Sequence, residues 1–231
     1  MKKPNASARM LLVFFVVFVL ASLTACLAAY FYAERAVTFV VNNFTEYNVS
    51  YSKWEGHLLG KSHIKDLAFE VKSKGIKVKA ATAYLDINIK ESIDKKSLIL
   101  EARLEKVEFS GLMGEKQAIT LQNNVLAIPF APGHIYDSIS FYVSSGKDIF
   151  TLAGFKALSE DAKVEGDFTF FKLREEVDMD IKMSFSPKLA GILPGDMRDR
   201  VLSLDADGWY STVIYYKGNV VFLKALYSLA S

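Results

Sequence analysis

The sequence predicts a mainly β protein: an N-terminal transmembrane helix, then a long, twisted, mostly antiparallel β-sheet with few short helices. The sheet is expected to be either an open groove or a sandwich. Two observations carry this expectation. The first is the uncharged run over residues 10–32, MLLVFFVVFVLASLTACLAAYFY. The second is the alternation of apolar and charged residues in the segments that follow it.

A helix over residues 10–32 would be roughly 34 Å long at ~1.5 Å per residue, enough to cross a hydrocarbon core of ~30 Å. It would satisfy its own backbone hydrogen bonds, as a solvent without water requires. Lys2, Lys3 and Arg9 precede the run. That positive tip favours a cytoplasmic N-terminus, with everything after Tyr32 across the membrane. Two other readings of the run stay open. Leu23-Thr24-Ala25-Cys26 has the form of a bacterial lipoprotein cleavage box, which makes Cys26 a candidate lipidation site. Against it, residues 27–32 stay apolar where a mature lipoprotein usually begins with a polar tether. A cleaved signal peptide is the third reading.

The organisation read from the chain is a cytoplasmic tip over 1–9, the transmembrane helix over 10–32, a helical extension over 33–47 and a β domain over 48–231. The composition is 51% hydrophobic and 13% aromatic, rich enough for a large buried or ligand-facing apolar surface. A net charge of +2 argues against a dedicated nucleic-acid binder. The sole cysteine falls in the apolar run, so the β domain has no internal disulfide and must rely on strand pairing and burial.

Within the β domain, Leu67, Phe69 and Val71 alternate with Ala68, Glu70 and Lys72. Ile76 and Val78 alternate with Lys77 and Lys79; the phase then slips near Ala80-Ala81 and continues as Leu85, Ile87 and Ile89. Leu98, Leu100, Ala102 and Leu104 follow, with a second slip before Val107 and Phe109. Such slips mark a bulge or a twist in a long strand. Residues 135–143 read as a strand after Pro132-Gly133, and residues 149–158 as a short helix. Residues 177–185 alternate most cleanly; Pro187 ends them, and Pro194-Gly195 reads as a turn. Residues 202–204 and 209–216 read as late strands joined at Asp207-Gly208, with Gly218-Asn219 turning into an apolar tail.

Alternation gives each strand one apolar and one charged face. Two such faces closing on each other make a sandwich core. An open, bent sheet would instead line a trough with Leu67, Phe69, Leu85, Ile87, Leu100, Leu104, Met179, Ile181 and Met183. Its charged residues Lys77, Lys79, Glu101, Arg103, Asp178 and Lys182 would lie in water. An exposed apolar trough is costly unless something apolar occupies it, and beside a bilayer that occupant is an acyl chain.

Residue patterns for catalysis are weak. His57, His63 and His134 lack any accompanying Cys, His or carboxylate at metal-ligand spacing. Asp205-Ala206-Asp207-Gly208 begins like a calcium loop, but Trp209 and Tyr216 stand where ligands are needed. No Gly-x-Ser-x-Gly is present, and Gly111-Leu112-Met113-Gly114 lacks the lysine of a phosphate loop. The expectation is a non-enzymatic protein without a cofactor.

The basic tip, single helix and short extension are followed by Tyr51-Ser52-Lys53-Trp54-Glu55-Gly56-His57-Leu58-Leu59-Gly60 and then Ile64-Lys65-Asp66-Leu67-Ala68-Phe69. This succession, with the strands after it, resembles the N-terminal part of AsmA/TamB-type (AsmA-like) bacterial envelope proteins over roughly residues 10–110. The second half is similar only in style. The resemblance implies a short, single-span member of the bacterial inner membrane, facing the periplasm and handling phospholipid in outer-membrane maintenance. It implies no catalytic residue. A chain this short implies envelope partners or self-association. A secretion-machinery adaptor resembling type II secretion protein N, with a closed β core, is the alternative.

The N-terminal readings separate by intact mass. A purified protein beginning at Met1 selects the retained helix, whereas one beginning at an acylated Cys26 selects the lipoprotein.

Overall fold

A computed structural model of the chain describes residues 35–57, 59–73, 75–110 and 133–219. The expected transmembrane run over 10–32, Cys26 and the apolar tail over 220–231 lie outside the described residues. Among the described residues, no helix is long and apolar enough to cross a membrane. A helix occupies residues 35–44 and leads directly into the sheet.

Among the described residues, eleven strands form one antiparallel sheet. They are β1 (Tyr47–Ser50), β2 (Lys53–Gly56), β3 (Lys61–Val71), β4 (Ile76–Ile87), β5 (Leu98–Ser110) and β6 (Ile135–Ser145). After them come β7 (Ile149–Leu158), β8 (Ala162–Phe171), β9 (Glu176–Phe185), β10 (Ser203–Leu204) and β11 (Tyr210–Asn219). Their order is β1-β3-β4-β5-β6-β7-β8-β9-β11-β10, with β2 beside β1 on the same edge of β3. Each long strand therefore pairs with its neighbours in sequence, apart from the step from β9 to β11.

The two expected phase slips are visible as odd separations between buried residues. Ala80 and Ala83 are both buried on β4, Ala102 and Val107 on β5, and Tyr136 and Ile139 on β6. A strict two-residue repeat cannot place such pairs on one face. The slip lies at one level in β3, β4, β5 and β6, near Asp66, Ala81, Lys106 and Asp137. Asp66 and Lys106 absorb it with φ near 52°. Register does not shift between β3, β4, β5 and β6, because all four slip together.

β7 carries a separate irregularity, because the level of Asp137 falls just past its last residue, Leu158. It shifts register against both neighbours, between Ser140 and Tyr142 of β6 and between its own Leu152 and Phe155. Gly154 takes a φ of 58° there, and its N–H donates to Asp167 Oδ1 at 2.7 Å. Beyond it, β8 and β9 pair without interruption. The expected short helix over 149–158 is therefore a strand. The bulge converts a two-residue repeat into apolar residues at Phe150, Leu152, Phe155 and Ala157, a spacing that imitates a helix.

Three further expectations change. Ile89 opens a helix, Ile89–Asp94, instead of continuing β4. Asn88 caps it: Oδ1 accepts from Glu91 N–H at 3.0 Å, and Nδ2 donates to Glu91 Oε2 at 2.9 Å. Gly195–Val201 is a helix after Pro194 and not merely a turn. Gly218-Asn219 does not turn, because both residues pair with β9.

The buried core joins the middle of the sheet to the segment between β9 and β10. Ser186 caps the short helix Pro187–Ala190, its Oγ accepting from Leu189 N–H, with proline at the first helical position. Leu189, Ala190, Leu193 and Leu202 then pack on Val107, Tyr136, Ile139, Ala157, Ala162 and Phe185. Phe185 is fully buried at the centre of this contact. Phe185→Ala should cost about 3–5 kcal/mol in urea unfolding. Leu173→Ala, at a turn where the side chain is 80% exposed, should stay within about 0.5 kcal/mol of wild type.

Candidate functional site

The pairing registers decide which side chains share a face. Leu67 stands opposite Ala80, which faces Val107 and then Tyr136. Phe69 stands opposite Val78 and Phe109, and its ring stacks on Tyr47 at 5.4 Å. Leu85 lies opposite Ala102 and Phe141; Ile87 lies opposite Leu100 and Val143; Leu104 lies between Ala83 and Ile139. Across the sheet, Met179 sits between Phe168 and Tyr216, Ile181 between Gly166 and Ile214, and Met183 between Val164 and Thr212. All nine expected trough residues therefore occupy one face of one sheet.

They do not share one environment. Met183 is 2% exposed and lies in the end sealed by the Leu189–Leu202 segment. Leu104 and Ile181 are half-buried and pack against that sealed core. Leu67, Phe69, Leu85, Ile87, Leu100 and Met179 are half-buried outside it. The wall thus has a closed end and a part that keeps access to its surface.

Sequence reasoning missed the β6–β8 portion of this wall. Phe141, Val143, Phe150, Leu152, Phe168 and Phe170 are half-buried on the same face. The rings of Phe150 and Phe168 meet edge to face at 6.3 Å. The signal was present in β8, where Phe168 and Phe170 flank Thr169. On β7 the bulge concealed it. Gly166 has its own role on this face, since a Cβ there would stand 2.2 Å from the Asp180 carbonyl oxygen. Only glycine lets β8 approach β9 that closely.

The outer face carries the charges. Lys77 pairs with Glu70 at 3.2 Å, Lys217 with Asp178 at 2.7 Å and Arg103 with Glu105 at 3.1 Å. Lys106 meets Asp137 at 2.5 Å on the slip level itself. These exposed pairs contribute little stability each, but they keep this side in water. Among the described residues, two cavities on it stand out. One, of about 430 Å³, lies under the Ile89–Asp94 helix and is lined by Asp86, Asn88, Glu91, Glu101 and Tyr142. The other, of about 200 Å³, surrounds Trp209, whose ring lies 4.2 Å from Lys163 Nζ.

The histidines serve local contacts. His63 Nδ1 lies 3.2 Å from Glu55 Oε2, and its ring stacks on Tyr84 at 4.7 Å. His134 Nε2 lies 3.0 Å from Ser159 Oγ, beside the turn that Asp161 anchors. Asp161 accepts from Ser186 Oγ at 2.7 Å and Lys188 Nζ at 2.8 Å, so it is not free to orient His134 as a triad carboxylate would. Among the described residues, no group of three or more His, Cys, Asp and Glu comes together to hold a metal.

This corner makes stability depend on pH. Burial holds His134 below its ordinary value, against the opposing pull of Asp161. Hydrogen bonds from Lys188 and Ser186 hold Asp161 below the usual carboxylate range. Both folded values lie under the unfolded ones, so the unfolded chain takes up protons first as pH falls. The contribution of His134 is present above about pH 6.5 and is lost as pH drops through the lowered folded value. The urea midpoint should fall between pH 7.5 and pH 5.5, and His134→Asn should flatten that slope.

Comparison of the whole chain with protein-family models, with curated proteins and with solved structures gives no match.

Proposed function

We propose that this chain is a membrane-anchored, non-enzymatic protein of the bacterial periplasm that binds or passes phospholipid acyl chains in outer-membrane maintenance. The observation that carries the reading is the wall. From β3 to β11 the inner positions are almost all aliphatic or aromatic, and the capping segment covers only one end of them. Eight long strands at ~4.8 Å spacing make the wall roughly 34 Å across, longer than one leaflet of a ~30 Å hydrocarbon core. Aromatic rings along Phe141, Phe150, Phe168 and Phe170 offer dispersion contact without a polar group to desolvate. The uncharged run over 10–32 supplies the tether, and the helix over 35–44 would connect it to the first edge of the sheet.

A second reading, an assembly or secretion-machinery adaptor resembling type II secretion protein N, draws on the sealed core around Tyr136 and Phe185. It would use the rim of the sheet and leave the wall without a guest.

The two readings separate by native mass spectrometry of the full chain from mild detergent. The lipid reading expects bound phospholipid on the wild-type protein. It expects at least tenfold less on Leu100→Asp and Ile181→Asp, with the circular dichroism of the sheet retained. A wild-type protein that carries no lipid and retains a stoichiometric protein partner selects the adaptor.

A further inference from the structure

The two edges of the sheet differ in what occupies their backbone groups. At the β1 edge, Val49 N–H donates to Asn42 Oδ1 at 2.6 Å, and Asn42 Nδ2 donates to the Val49 carbonyl at 2.8 Å. Tyr47 N–H donates to Thr45 Oγ1 at 3.1 Å. A side-chain amide stands where a further strand would bond. At the opposite edge, β10 covers only Tyr210 and Ser211 of β11. Residues 212–218 have β9 on one side and, among the described residues, no strand on the other.

The groups that face this gap follow from β10. Asp205 N–H donates to the Trp209 carbonyl at 2.7 Å, which extends the Ser203–Ser211 register by one hydrogen-bonded pair. Outward groups recur at every second residue of an antiparallel ladder. Val213, Tyr215 and Lys217 therefore present N–H and C=O to the open side. Val213 and Tyr215 are also 63% and 66% exposed on the outer face. Long open edges with exposed apolar residues are templates for pairing.

We propose that this edge pairs with the same edge of a second copy, antiparallel about a twofold axis at Tyr215. The open window, 212–218, is centred on that residue. Its centring sets Val213 against Lys217 of the second copy and Tyr215 against its own counterpart. Three hydrogen-bonded residue pairs result, with about six new ladder bonds. On the inner face Ile214 meets the counterpart of Tyr216, an aromatic and β-branched pair of the kind that stabilises sheets. No like charges stand opposite each other. The twofold axis is perpendicular to the sheet, so both inner walls lie on the same side and become continuous. An edge already taken by another strand of the same chain would leave the wild type monomeric, an outcome the test below reads directly. This inference does not depend on what the inner wall holds.

The test uses the full chain in mild detergent, with copper-phenanthroline as oxidant. Tyr215→Cys should give a disulfide-linked dimer on a non-reducing gel. Leu173→Cys, at an exposed turn far along the chain, should give at least tenfold less. Cys26 stays in both, so a dimer through it would show equally in each. Tyr215→Lys places two ammonium groups face to face and should convert the wild-type dimer seen by native mass spectrometry to monomer. A monomeric wild type, a dimer that survives Tyr215→Lys, or equal crosslinking of the two cysteine variants overturns the proposal. Tyr215→Cys crosslinked only to another polypeptide overturns it as well.

Discussion

A long strand that changes facing midway would normally throw half its apolar residues into water, because the side-chain repeat is two. Here β3, β4, β5 and β6 change facing at the same level, and the hydrogen-bond register passes through unbroken. The consequence is collective. If Asp66 or Lys106 slipped alone, its strand would be out of phase with both neighbours and the wall would break into patches. Because the slip is shared, the wall stays continuous across these four strands. The positive φ values of Asp66 and Lys106 mark where the backbone absorbs the slip. β7 carries a separate bulge at Gly154, and on both sides of it the apolar residues keep to the inner face.

Segregation of side chains follows from this shared slip. Charged residues collect on the outer face, in exposed cross-strand pairs such as Lys217 with Asp178. The inner face gathers the aliphatic and aromatic residues, and the Leu189–Leu202 segment seals one end of it. Burial at that end supplies the stability that a disulfide-free sheet needs. It also leaves Leu67, Phe69, Leu85, Ile87, Leu100 and Met179 half-buried, with surface that an apolar guest would cover.

Much of this was legible in the sequence because alternation survives folding. Residues 177–185 read cleanly and became β9. The slips at Ala80-Ala81 and before Val107 were visible as breaks in phase and sit at one level of the sheet. Leu67, Phe69, Leu85, Ile87, Leu100, Leu104, Met179, Ile181 and Met183 fell on one face because antiparallel pairing preserves phase from strand to strand. What failed was local. The Gly154 bulge disguised β7 as a helix, since one inserted residue turns a repeat of two into steps of two and three. The Asn88 and Ser186 caps each open a helix of six residues or fewer, too short for a periodic pattern. The division of the wall into sealed and accessible parts depends on where a segment after β9 folds back, and no local pattern records that.

The amide of Asn42 has a consequence for how far such sheets can grow. A strand with both margins unsatisfied can add copies without end and become a fibre. Here Asn42 and Thr45 close one margin at β1, and β2 beside it is only four residues long. In the proposed pairing, growth through the other margin uses up the long vacancy that the described residues leave at β11, so association would halt at a closed pair and a filament would have nowhere to start.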